Sequence, residues 1–203
     1  MSETLASTAS AVVGIDEPRR FRLAGRCLRW ATVTLAVAGV SIGLFFAGAG
    51  AVFGPINDVT TAATLLLVVP GALAVRRLAR GRVGSWFSGL TLLTVAGIGV
   101  AAAGLLLLVA RVITLNESIT IGGLGMLPFL GWLAGLAFVT LRRGVLTRRV
   151  GWLAAATLGI SLVATAASPF VPINVLTLVV GLPFFALFAA WLWAFGTALL
   201  EEA

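Results

Sequence analysis

The polar side chains able to do chemistry in this sequence fall largely in three short stretches. GPINDVTT holds Asn57 and Asp58, ITLNESIT holds Asn116 and Glu117, and VPINVLTL holds Asn174. These are all the asparagines of the chain, 59 and 58 residues apart. In the first two stretches an amide precedes a carboxylate. At the head of a helix, such a pair caps free N–H groups and sets an acid at the positive end of the helix dipole. Brought together, Asn57, Asp58, Asn116, Glu117 and Asn174 would ring a vestibule, where two carboxylates and several amide oxygens attract a cation or a cationic solute. Val175 stands where a third acid would be, so the ring is not symmetric. Arg111 is the one basic residue near these turns. Its expected partners are Glu117 or Asp58, as a snorkelling ion-paired arginine; the alternative role is recognition of a phosphate or carboxylate.

Most other chemistries lack their residues. The 14 basic residues are all Arg, and the chain has no Lys, His, Tyr or Gln. Without His there is no His-ligated haem and no usual zinc site. Without Lys there is no Schiff base and no P-loop. A serine nucleophile would find neither as its base. Cys27 is the single cysteine, which precludes an internal disulfide; beside the first span it is suited to packing or palmitoylation. The glycine cluster Gly122, Gly123 and Gly125 has no strand before it and is no nucleotide cradle. The reading is therefore non-enzymatic, with no cofactor and no metal. An intramembrane enzyme would have to use Asp58 and Glu117 as its acid/base pair, at positions that read as exposed.

These residues need elements to position them, and composition says which. Of 203 residues, 60% are hydrophobic and 10% charged, with mean hydropathy +1.12. A soluble domain carries about 25% charge. There is too little polar material to clothe a water-soluble fold, so the chain reads as an all-α polytopic membrane protein. Six apolar runs, near residues 31–53, 58–75, 86–110, 120–141, 151–168 and 173–200, suit a hydrocarbon core about 30 Å thick crossed at 1.5 Å per residue. Backbone groups in lipid must pair within the segment, and no barrel-type alternation is present, so the runs predict six transmembrane helices. No ionisable residue lies in the middle of any run, which disfavours proton- or ion-coupled pumping.

Orientation follows from arginine. Arg19, Arg20, Arg22, Arg26 and Arg29 precede the first run; Arg76, Arg77, Arg80 and Arg82 follow the second; Arg142, Arg143, Arg148 and Arg149 follow the fourth. Thirteen Arg on one side against Arg111 on the other predicts N-in and C-in topology, with cytoplasmic clusters meeting anionic lipid headgroups rather than nucleic acid. The setting is a multi-pass cell-membrane protein, most simply of a prokaryotic cytoplasmic membrane. Residues 1–18 are small, polar and slightly acidic. Residues 1–25 read as a flexible cytoplasmic tail and 26–203 as the transmembrane domain.

The spacings hint at duplication. Pro70, Pro128 and Pro183 fall in the even runs as candidate kinks, and Trp30, Trp86 and Trp152 open the odd ones. Three tandem helical hairpins of like orientation would give a pseudo-threefold bundle; evenly looped helices with interfacial Trp would give the same period without it. Small-residue motifs, Gly39/Gly43, Gly131/Gly135 and the stretch Ala96–Gly104, predict close helix contacts. The functional expectation is a non-enzymatic membrane component, scaffold or accessory subunit with a membrane-protein partner. The alternative is a small facilitator for a lipidic or weakly polar solute, with its vestibule at the Asn57/Asn116/Asn174 turns. A cavity reaching mid-membrane from that end would favour the second, and a solid interior with an exposed groove of small residues the first.

Overall fold

The computed structural model describes residues 2–167, 170 and 177–203, with side chains from 17 to 167, at 170 and from 179 to 203. The described residues are all-α. The helices are α1 (Ser2–Leu44), α2 (Gly50–Leu78), α3 (Ser85–Val109), α4 (Leu115–Arg143), α5 (Arg148–Ala167) and α6 (Leu182–Glu201). A kink over Phe45–Ala49 precedes α2, and a π-helical turn, Thr177–Gly181, precedes α6. Five helical stretches are long and apolar enough to cross a membrane: Glu17–Leu78, Ser85–Val109, Leu115–Arg143, Arg148–Ala167 and Val179–Glu201.

The first stretch is 62 residues long. A straight helix of that length would measure about 93 Å, roughly three times the thickness of a bilayer's hydrocarbon core. It is instead folded back on itself. Gly48 takes φ 105°, a left-handed value that costs glycine nothing and other residues a clash. Beyond it α2 returns along α1. A Cβ on Gly71 would meet the Leu28 side chain, and Thr34 and Thr64 share a 2.8 Å hydrogen bond. This corrects the first two predicted segments. The reversal lies at 45–49 rather than 54–57, and Asn57 and Asp58 sit two turns inside α2 rather than in a loop. Hydropathy could not see it, because the reversal is built from Phe, Ala and Gly and reads as continuous apolar chain.

The N-terminal boundary also differs. Helix α1 begins at Ser2, and Phe21 and Ala24 are buried, so the segment read as a tail to residue 25 is helical and joins the core from Phe21 onward. Helices α3, α4 and α5 lie within a few residues of their predicted runs. The last run begins at 173 in the sequence reading; α6 starts only at Leu182, and residues 173–176 lie outside those described. Pro183 is thus in the first turn of α6, where a missing N–H costs little, and is no mid-span kink. Pro70 and Pro128 are interior to α2 and α4.

The helices form a closed ring in chain order. Each packs on its sequence neighbours, and α6 closes the ring against α1. The closest approaches are glycine to glycine. A Cβ on Gly25 would lie 2.7 Å from the Gly196 carbonyl oxygen, joining α1 to α6. A Cβ on Gly97 would overlap the Gly125 carbonyl oxygen, joining α3 to α4. Glycine allows such approach by leaving backbone against backbone, where dispersion is strongest. Gly97 belongs to the predicted small stretch, and Ala101 and Gly104 continue its contact face. The two GxxxG matches behave otherwise: Gly43 faces open space, and Gly39, Gly131 and Gly135 meet side chains rather than backbone.

Thirteen arginines collect at one end of the ring. There Arg29 lies 4.9 Å above the Trp193 ring, and Arg76 Nε donates to Ser88 Oγ across the α2–α3 turn. The exposed tryptophans, Trp30, Trp86, Trp152 and Trp193, lie toward the same end, as an interfacial aromatic belt would. Trp132 and Trp191 are fully buried instead. With Phe129, Phe188 and Phe195 they fill the centre of the ring with rings 5.3 to 6.3 Å apart. The Trp132 indole N–H donates to Thr91 Oγ1 at 3.2 Å, satisfying a buried donor.

Candidate functional site

Beside this aromatic plug, toward the Arg-poor end, the ring encloses a cavity of about 360 Å³. That is within the range of small-molecule sites. Its wall is almost wholly apolar. Leu105 and Leu108 of α3 and Leu115 and Ile119 of α4 line its outer part; Leu65, Met126 and Phe188 line its inner part. From Leu115 to Met126 the α4 wall descends about 16 Å, half of a hydrocarbon core.

Four polar residues face the cavity: Asp58, Thr61, Thr64 and Ser118. Two are already occupied. Thr64 Oγ1 donates to the Thr60 carbonyl at 2.8 Å or shares its proton with Thr34, and Ser118 Oγ donates to the Gly104 carbonyl at 3.3 Å. These bonds turn their polarity into the wall. Asp58 and Thr61 lie three residues apart on one face of α2. Asp58 Oδ1 accepts from Asn57 Nδ2 at 3.3 Å, and among the described residues it has no ion pair. Among the described residues Asp58 is the sole ionisable one on this wall, which it shares with Leu108 and Leu115 at the outer ends of α3 and α4.

The other predicted site residues do not converge on it. Glu117 is exposed and closes a capping box: its carboxylate accepts from Thr114 N at 2.7 Å and from Thr114 Oγ1 at 2.8 Å, while Glu117 N donates to Thr114 Oγ1 at 3.4 Å. The cap of α4 is therefore Thr114, not Asn116, which is exposed on the first turn. The T-x-x-E string in TLNE was the signal that could have found it. Arg111 is exposed at φ 57°, directly after α3. Arg111 N donates to Leu108 O and Val112 N to Leu107 O, both at 2.9 Å. This is the Schellman pattern, with Arg in the position glycine usually fills. Its charge complements the negative end of α3, and Glu117 is turned to Thr114 rather than to it. Asn174 lies outside the described residues. Of the expected ring of Asn57, Asp58, Asn116, Glu117 and Asn174, the described residues bring Asp58 to the cavity, with Asn57 behind it.

Beside the Pro128 position, Thr94 Oγ1 donates to the Pro128 carbonyl oxygen at 2.9 Å, tying α3 to α4. Sequence reasoning missed Ser118, Met126 and Phe188, which line the cavity with Thr61. Nothing in their local spacing marks them; only the ring arrangement brings them together.

The fold and cavity define a class: an all-α protein with helices of membrane-spanning length and apolarity around an interior cavity. No family model, curated protein or solved structure matches the chain.

Proposed function

We propose that this protein is a non-enzymatic membrane protein that holds an apolar or weakly polar solute in its central cavity, as a small facilitator does. The observation that carries the reading is the cavity of about 360 Å³, reaching half the depth of a bilayer from the Arg-poor end and stopped by the aromatic plug. In this reading the helices cross six times, because the folded stretch Glu17–Leu78 supplies two crossings. The Arg-rich end faces the cytoplasm, N-in and C-in, by the excess of positive charge there. The membrane is the prokaryotic cytoplasmic membrane. Anionic headgroups are the partners of the Arg clusters. The non-enzymatic reading is supported by Asp58 lying on the cavity wall while the Glu117 carboxylate is held by Thr114 in the α4 cap.

The test is side-specific labelling on a Cys27→Ser background in sealed cells. An impermeant thiol reagent added outside should label Thr61→Cys and Asn116→Cys and leave Arg80→Cys unlabelled. Labelling of Arg80→Cys with protection of Asn116→Cys would reverse the topology. Protection of Thr61→Cys with labelling of Asn116→Cys would remove the open cavity.

A second reading is a scaffold or accessory subunit that binds a partner's helix. It rests on an apolar groove between α1 and α6 lined by small residues, among them Ala36, Gly39, Gly43, Ala186 and Ala189.

A further inference from the structure

The groove between α1 and α6 and the central cavity are adjacent. The groove, about 470 Å³, faces outward; the cavity faces the ring's centre. They share two wall residues, Leu35 of α1 and Phe185 of α6. One layer of side chains therefore separates the lipid-facing surface from the interior.

This seam is closed at one end and open at the other. Toward the Arg-rich end, Gly25 and Gly196 bring α1 and α6 into backbone contact. Toward the Arg-poor end only side chains bridge the gap. The Phe185 ring lies over Gly39, and among the described residues nothing stands within 4 Å of where a Gly43 Cβ would be. Phe185 is in the first turn of α6, and α1 ends at the kink of Gly48, so both walls of the seam end near this level. Among the described residues the groove's lining carries no polar side chain, so an amphiphile enters the seam from the leaflet with its hydrocarbon tail leading.

We propose that the α1–α6 seam is a lateral gate, with Phe185 and Leu35 as its leaves, through which a single-chain cationic amphiphile enters from the leaflet at the Arg-poor end. Its charged head meets the Asp58 carboxylate and the Thr61 hydroxyl, and its tail lies against Met126 and Phe188. The cation is required by charge: Asp58 has no ion pair among the described residues, and no other ionisable side chain lines the cavity. The single chain is required by volume, since about 360 Å³ is at the small end of ligand sites. The proposal rests on the cavity being a solute site.

The test uses the full chain in phosphatidylcholine nanodiscs, with radiolabelled dodecyltrimethylammonium as probe, dodecanol as neutral comparison and empty nanodiscs as background. Gly39→Cys with Phe185→Cys, on a Cys27→Ser background, forms a staple across the gate: the distance from an ideal Gly39 Cβ to Phe185 Cβ is 3.7 Å, right for a disulfide. Saturable binding of the ammonium is expected in the reduced protein, with uptake from the bilayer slowed at least about tenfold on oxidation and restored by reductant. Asp58→Asn should weaken the ammonium by about tenfold, one charge contact at a partly solvated site, and leave dodecanol unchanged. Unchanged uptake in the oxidised protein, with Asp58→Asn still weakening binding, overturns the gate and leaves the cavity. Equal binding of dodecanol and ammonium overturns the cationic class. Oxidation that links two chains instead of one shows a partner helix in the groove and overturns the gate. Binding of neither probe above background overturns the cavity reading as well.

Discussion

The crossing of α3 and α4 can be broken by one methyl group. In Gly97→Ala the new Cβ would overlap the Gly125 carbonyl oxygen and lie 3.3 Å from the carbonyl carbon and from Pro128 Cγ. Two of these three neighbours are backbone, so no rotamer change relieves the clash and the helices must separate. Overpacking of this kind costs about 1–3 kcal/mol. Alanine returns about 1 kcal/mol by its better helix propensity. The net loss is up to about 2 kcal/mol, which for a chain of this size lowers the unfolding midpoint by up to roughly 8 °C. Gly99→Ala is the matched control on the same helix, since nothing lies within 4 Å of its Cβ position. There only the propensity gain applies, so the midpoint should hold or rise. Both variants are heated in the same detergent, and the monodisperse fraction is read by size-exclusion chromatography. If Gly97→Ala melts at or above Gly99→Ala, the backbone-to-backbone crossing is refuted.

Two further predictions concern helix ends. Thr114→Ala should cost about 0.5–2 kcal/mol by removing the α4 cap, whereas Asn116→Ala should change the midpoint by no more than about 0.5 kcal/mol in equivalent terms; the reverse order would reinstate Asn116 as the cap. Arg111→Gly should stabilise the turn by about 1 kcal/mol, because it relieves a left-handed conformation at φ 57°, read as a higher midpoint in the same assay. A lower midpoint would mean that the arginine's charge at the α3 terminus outweighs its backbone strain.

Sequence alone determined that the chain is helical, with stretches long and apolar enough to cross a membrane. An apolar content of 60% with 10% charge leaves no water-facing surface to build, and runs of membrane length must then be helical to pair their own backbone. The arginine clusters and Ser85–Val109, Leu115–Arg143 and Arg148–Ala167 were legible for that reason. The reversal at Gly48 was not: hydropathy is a sum over side chains, and a left-handed glycine changes the backbone without changing the sum. The capping box at Thr114 was legible in principle, since it is local. Only the tertiary structure decided the site. It closed the ring at Gly25 and Gly196, chose Asp58 over Glu117, and set Leu115, Met126 and Phe188 around one space. A cavity is a relation among helices distant in sequence, so no period within any one of them encodes it.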